Sequence, residues 1–509
     1  MKARTEKKAT AQTGSVVASK ATDELMDMAE AIAQLKTSRP TFYRWVRSGQ
    51  LRGMKAGRQW RFYRADVERF MKGDAPRIEL TADIDPLIQT LQKKLVGVGA
   101  KKYLDRDFQA VEGAVDLMIL LGAAMRASDL HIGAQMVPEK PENTGFFRCR
   151  VDGVLHTAAT FDIRLLPAIV ERWKVLCHCD INEKQKPQDG RATLDAAGKK
   201  LDLRVNFLPA ITGESITAHI LDRDTVKLDL DRIDYAAADK EKILRALKAP
   251  AGMIVVTGPA GCGKTTVVYS FLNKLVSPDI KIVTVEDPVC YALPWATQIQ
   301  VRPIHSSTTY PAILRAISRS SPDVIMIGEI KDAETLLLGQ EIALEGHLVL
   351  TTLHTDDAAA ALIRMRDIGS EPFVIEQSMR LIVAQRLIRK LCPHCSVPEK
   401  LTPEQASMLS GWGANNRFDW RAMGNGFRKP VGCPKCGNTG YRGRTVVAEA
   451  LEMSPEIGRA LRESTVTSAD IRKIAIEQGM TTILADGVRR AAKGEIFLGE
   501  IGCYLARLA

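Results

Sequence analysis

A chain of 509 residues, 45% hydrophobic and 26% charged, has material for about three domains and the composition of a globular protein, which excludes fibrous and disordered classes. No run of about 20 apolar residues occurs, and the first positions mix Lys2, Glu6 and Lys8 with Ala and Thr where a signal peptide needs an apolar stretch; a cytoplasmic protein with no transmembrane segment is expected. Of the net charge of +11, residues 1–77 carry +9, from 17 Lys/Arg against 8 Asp/Glu, so a polyanion or an acidic partner would dock there.

Residues 1–22, rich in Ala, Thr, Ser and Lys, read as a flexible tail. A compact basic unit follows over 23–73. Asp23 can cap one helix, and Ser38 a second whose Pro40 suits the first turn and which stops at Ser48-Gly49. Two strand-like pieces flank Ala56-Gly-Arg58, and Ala65 to Met71 reads as a closing helix. On the second helix Phe42, Trp45 and Val46 share a face suited to a core, leaving Arg39, Tyr43, Arg44 and Arg47 outward. Residues 74–107, with Pro76 and Pro86, are expected to be a linker. Residues 108–225 combine an apolar helix, Val111 to Met125, with strand-like runs such as Phe146 to Val151 and Leu201 to Phe207, and predict a separate α/β domain. From 226 to 509, short β-rich runs alternate with helical stretches, the pattern of a mostly parallel sheet covered by helices.

In that last region Met253 to Thr257 leads into Gly258-Pro-Ala-Gly261-Cys-Gly263-Lys264-Thr265-Thr266 and then a helix, the strand, glycine loop and helix that make GxxxxGK[ST] a phosphate-binding loop. Lys264 would reach the β and γ phosphates of ATP, and the Thr265 hydroxyl would sit on Mg²⁺. Three polar clusters also follow apolar runs: Glu286-Asp287-Pro288, Gly328-Glu329 and His354. Ligands of open α/β sheets bind beyond the carboxyl ends of the strands, where all four features would meet. Glu329, on a strand expected to run beside the phosphate-binding one, is the candidate to orient or deprotonate the attacking water. Glu286 and Asp287 would hold magnesium-bound water, and His354 could contact the γ-phosphate. Taken singly, Glu-Asp-Pro is usually a turn and a lone His a core residue; their shared placement is the argument. His347, at the other end of its strand, reads as structural.

With these residues placed, Val111 to Leu505 resembles the secretion ATPases of type II secretion and type IV pilus assembly. The matching segments include Ala127-Ser-Asp-Leu-His-Ile132, Arg150-Val-Asp-Gly153, Pro187-Gln-Asp-Gly-Arg191, Asp202-Leu-Arg204, Thr284-Val-Glu-Asp-Pro-Val289, Gly328-Glu-Ile-Lys-Asp332, Thr352-Leu-His354 and Val383-Ala-Gln-Arg-Leu-Ile-Arg389. The resemblance implies a RecA-like P-loop NTPase motor with a zinc-binding insertion, preceded by a smaller α/β domain. It also implies a homohexameric ring, peripheral to the inner membrane, whose ATP hydrolysis extends a pseudopilus-like fibre through a platform protein. It further places Arg191 and Arg204 of the upstream domain near the nucleotide, where a guanidinium can bridge phosphate oxygens; their other reading is surface ion pairs. Three departures stand out: His219 for a third arginine, Cys290 for an acidic residue, and Gly133-Ala134 for Glu-Pro.

Cys392, Cys395, Cys433 and Cys436 form two CxxC pairs 37 residues apart, a spacing that brings four thiolates to one cation. Zn²⁺ is the usual occupant of such a structural site, within a module expected over 390–445, and an iron–sulfur cluster is the alternative. Residues 23–73 resemble the excisionase-type winged helix-turn-helix, on Thr41-Phe-Tyr-Arg-Trp-Val-Arg-Ser-Gly49 and Gly57-Arg-Gln-Trp-Arg61. Duplex DNA and an acidic protein are both open as its partner. Two other readings of the whole chain are a retraction or DNA-handling motor and a DNA-binding regulator with a nucleotide-sensing lobe.

Overall fold

A computed structural model describes residues 25–47, 51, 53–56, 59–71, 80–104, 108–135, 144–196, 198–222, 229–301 and 309–505. The tail 1–22, Asp23 and the Ser48-Gly49 stop lie outside these residues.

The basic unit has the expected helices and hairpin, with one more strand. Its first helix begins at Met28 and is capped by Asp27, not by Asp23 as expected: Glu30 N–H donates to Asp27 Oδ1 (2.9 Å) and Asp27 N–H to Glu30 Oε2 (2.8 Å). Ser38 caps the helix Arg39–Arg47 by accepting from Thr41 N–H at 3.4 Å. Phe42 is buried edge-on against Phe62, with Trp45 and Val46 packed around them as their spacing requires. Arg39 and Tyr43 are exposed; the side chains of Arg44 and Arg47 lie outside the described ones. The strand Leu25–Asp27, too short for a periodic signal, pairs antiparallel with Gln59–Tyr63, which pairs on its other edge with Met54–Ala56.

The expected linker over 74–107 needs correction. Leu80–Gly97 is a helix whose Ile84, Leu87, Ile88, Leu91 and Leu95 are buried with the apolar helix Ala110–Ala124 in one core. Pro86, which reads as linker punctuation, sits inside it. An interior proline costs about 3 kcal/mol; burying five Leu or Ile side chains, at about 1.5–3 kcal/mol each, outweighs that.

These helices and Leu166–Leu176 cover a wholly antiparallel sheet in the order Val154–Asp162, Thr144–Val151, Ala127–Gln135, Gly213–Asp222, Lys199–Ala210, Gln188–Ala196. Arg191 pairs directly with Arg204, Arg204 with His219, and His219 with Asp129. Direct partners share a face, so one polar row crosses four strands.

The third unit is a sheet in the order Ala296–Gln300, Ile282–Glu286, Val324–Ile327, Leu348–Leu353, Gly252–Thr257, Met379–Leu391, Tyr441–Glu452, parallel except for the last pair. Its central strands are buried throughout because helices cover both faces. The order corrects one expectation: the strand before Glu329 does not flank Gly252–Thr257. The helix Ala333–Leu344 carries the chain across, and Leu348–Leu353 takes the place between them. The tetracysteine segment sits where the long antiparallel neighbours Met379–Leu391 and Tyr441–Glu452 leave the sheet. Among the described residues no helix is long and apolar enough to cross a membrane.

Candidate nucleotide site and cysteine centre

The glycine loop connects the buried strand Gly252–Thr257 to the helix Lys264–Leu275. Two of its glycines are obligatory. Gly258 has φ +148°, and a Cβ there would meet the Gln385 carbonyl oxygen at 2.6 Å; Gly263, at φ +91°, turns the chain into the helix. Gly261 is also left-handed, at φ +75°. The following helix directs its N-terminal dipole at the loop, with Thr265 exposed beside it and Thr266 half-buried.

Lys264 is buried, and its ammonium donates to the carbonyls of Gly258 (2.8 Å) and Pro259 (3.2 Å). It also lies 3.2 Å from His354 Nδ1. An ammonium can only donate, so Nδ1 accepts; neutral His354 then carries its proton on Nε2, which donates to Glu329 Oε1 at 3.0 Å. Lys264, His354 and Glu329, from three different strand ends, thus form a continuous polar chain. Burial draws the Lys264 ammonium below the usual lysine range, with the Glu329 carboxylate among the charges opposing that shift. The inserted strand is what makes the chain possible, since it sets His354 between the other two.

Glu286 and Asp287 part company. Asp287 is exposed, whereas Glu286 is 2% exposed and accepts hydrogen bonds from Tyr269 Oη (2.5 Å), Thr284 Oγ1 (2.7 Å) and Gln298 Nε2 (3.2 Å). Its carboxylate ties the following loop to the sheet instead of facing solvent. Arg204 Nη2 donates to the Val289 carbonyl at 2.8 Å, so the upstream domain touches the loop just beyond Asp287. Exposed Arg191 is its strand partner, and both guanidinium groups act on Cys290, whose thiol burial nevertheless raises. His219, where the resemblance implies a third arginine, has its Nδ1 2.5 Å from Asp129 Oδ1, and that bond raises its pKa. His347 Nδ1 lies 2.7 Å from the Pro322 carbonyl, a structural contact as expected.

Two supporting residues have no sequence-based role. Gln385 Nε2 donates to the Cys262 carbonyl (2.9 Å) while its Oε1 accepts from Tyr235 Oη (3.0 Å), bracing the loop from below. Tyr310 lies among Asp287, Glu329 and Glu286; burial and then their negative field push its phenol pKa upward. A polar residue inside an otherwise buried strand was the one available signal for Gln385.

The four expected cysteine ligands come together, all their sulfurs within 4.8 Å of one another. Zn–S bonds of about 2.3 Å in a tetrahedron place sulfurs about 3.8 Å apart. The observed separations are 3.9 Å for Cys392–Cys433, 3.9 Å for Cys395–Cys436 and 3.8 Å for Cys433–Cys436. N–H donors from Gly432 to Cys395 and from Cys433 and Gly440 to Cys436 suit thiolates. At Cys436 burial opposes ionisation, but its N–H donors prevail and bring the thiol down to about 6, whereas at Cys395 burial and the neighbouring sulfurs outweigh the Gly432 N–H and push the thiol up to about 11. The donor set therefore fits a closed structural zinc site.

Residues 105–502 match the family model described as "Type II/IV secretion system protein", and residues 25–75 that of a helix-turn-helix domain. The chain is 35% identical to a putative type II secretion system protein E of Escherichia coli, over 83% of each chain. It is 33% identical to the type IV pilus assembly ATPase PilB of Myxococcus xanthus, over 86% of this chain and 75% of that one. The ATPase DotB of Legionella pneumophila superposes with a TM-score of 0.54 at 18% identity, over 77% of this chain and 95% of that one, which speaks to fold alone.

Proposed function

Since the chain belongs to the type II/IV secretion system protein family, we propose that it is a Mg²⁺-dependent ATPase motor for assembly of a type II secretion pseudopilus or a type IV pilus. It would work in the cytoplasm as a homohexamer docked on an inner-membrane platform protein. The observation that carries this reading is the chain from Lys264 through His354 to Glu329 behind the glycine loop.

In this reading the loop from Gly258 to Gly263, with Lys264 and Thr266, holds the phosphates, while Thr265 and the exposed Asp287 hold the magnesium shell. Bound Mg²⁺ supplies charge neutralisation at the phosphates. Glu329 orients the attacking water and accepts its proton; His354 fixes the Glu329 carboxylate and reports the lysine's position to it. Glu286 acts indirectly, by holding the loop that presents Asp287. Arg204 and Arg191 approach from the upstream domain and stabilise charge developing on the phosphates.

The test is Glu329→Gln. The amide oxygen still accepts from His354 Nε2, so nucleotide binding persists while the lost basicity lowers turnover by about 10²–10⁴. Near-normal hydrolysis by this variant would refute the role. The helix-turn-helix match, together with exposed Arg39 and Tyr43 in a strongly basic segment, supports duplex DNA as a second partner, with an acidic docking protein as the competitor.

A further inference from the structure

Away from the glycine loop, two adjoining cavities of about 620 and 580 Å³ open between the upstream domain and the cysteine module, sharing Arg126 and Arg442 in their walls. Seven Lys/Arg residues line them against two acids, Asp152 and Glu495. Both acids are already engaged: Asp152 accepts from Gly443 N–H at 2.8 Å and pairs with Arg126 at 3.9 Å, and Glu495 pairs with Arg490 at 3.0 Å. Arg389 is likewise neutralised by Glu500. A zinc ion held by four thiolates carries two net negative charges, and Cys436 lines the same cleft, so the metal centre offsets part of what remains. It does not account for Lys390 and Arg442, whose side chains have neither a hydrogen bond nor an ion pair to a described residue, although Lys390 lies in the field of Asp234, whose carboxyl it helps hold down.

Cations in excess of their acidic partners, gathered in one concave site, repel one another, and a multivalent anion is what would stabilise them. We propose that this cleft binds a small phosphate-bearing anion, held by Arg442, Lys390 and Arg126. Guanidinium forks bind phosphate oxygens in pairs, and the cavity volume is that of a small-molecule site. The second cavity is also lined by Val98, Met125, Val151 and Ala158, so the phosphate can be free or carried on a nucleoside. Arg126 belongs to the upstream domain and Lys390 and Arg442 to the strands that bear the cysteine module, so an occupant would bridge the two and reinforce the Gly443–Asp152 contact.

The test uses the full-length, zinc-loaded protein with its glycine loop saturated by Mg²⁺ and a non-hydrolysable ATP analogue. Calorimetric titration with inorganic pyrophosphate, and separately with ADP, should reveal one further site per chain. Arg442→Glu should weaken it about tenfold or more, and Lys390→Gln, a milder change that guards against misfolding, by a smaller factor in the same direction. Equal binding of the two probes supports free phosphate as the ligand, and tighter ADP a nucleotide. Absence of a second site at low salt, or binding that neither substitution alters, overturns the proposal and leaves the cleft to an acidic protein segment.

Discussion

Asp239→Asn isolates a buried charge whose effect on stability has a definite sign. Asp239 lies in the first turn of the helix Ala237–Leu247, is 1% exposed, and neither carboxylate oxygen meets a hydrogen-bond donor among the described residues. Burial, with Asp486 and Glu449 adding to it and Lys242 opposing, raises its pKa from 3.8 to about 7. The folded chain therefore holds this proton more tightly than the unfolded one. The stability this group contributes is fully present below the unfolded pKa near 4, falls as pH rises, and is lost above about 7. A shift of about three units, at 1.36 kcal/mol each, amounts to ~4 kcal/mol between those limits. Asn keeps the shape without the ionisation. The variant should match the parent near pH 4 and exceed it by up to that ~4 kcal/mol near pH 8. Glu449, also pushed to about 7 by its burial, would leave a residual slope in both proteins. Unfolding midpoints across a pH series, with hydrogen exchange along Ala237–Leu247 to localise the effect, provide the assay. Parallel loss of stability by parent and variant through the whole window would refute the reasoning.

Asp129→Asn should lower the pKa of His219 by removing the hydrogen bond that raises it, a change visible in the imidazole NMR titration. The stability this bond contributes is present below the ordinary 6.5 and lost as pH rises through the raised folded value, so an unchanged titration would remove the pair from consideration. Metal analysis should find one zinc per chain, and chelation or Cys433→Ser should loosen residues 390–445 before the glycine loop responds, as read by hydrogen exchange. If the basic unit binds duplex DNA, log K should fall with log salt by about 0.9 per neutralised phosphate, and Arg44→Ala and Arg47→Ala should cost more than Arg69→Ala. No binding at low salt would remove DNA as a partner.

Some features were determined by the sequence alone because they rest on near neighbours in the chain. The glycine loop needs consecutive residues, each half of the cysteine cluster one CxxC turn, and the Phe42, Trp45, Val46 face one helical period; each appears where its spacing places it. The apolar helix Ala110–Ala124 was legible for the same reason. The helix Leu80–Gly97 was hidden by a proline whose local cost the core beneath it outweighs, a balance set by residues beyond Val111. Strand order was not legible either, since nothing within Val324–Ile327 states which strand will lie beside it. That order alone decides that His354 stands between Lys264 and Glu329. The carboxylate of Glu286 looks identical in sequence to that of Asp287. Only Tyr269 and Gln298, brought in from other elements, separate a buried brace from an exposed group free to face a metal. Chemistry that depends on one turn of chain can be read from the sequence, whereas chemistry that depends on which strands and lobes become neighbours is decided by tertiary packing.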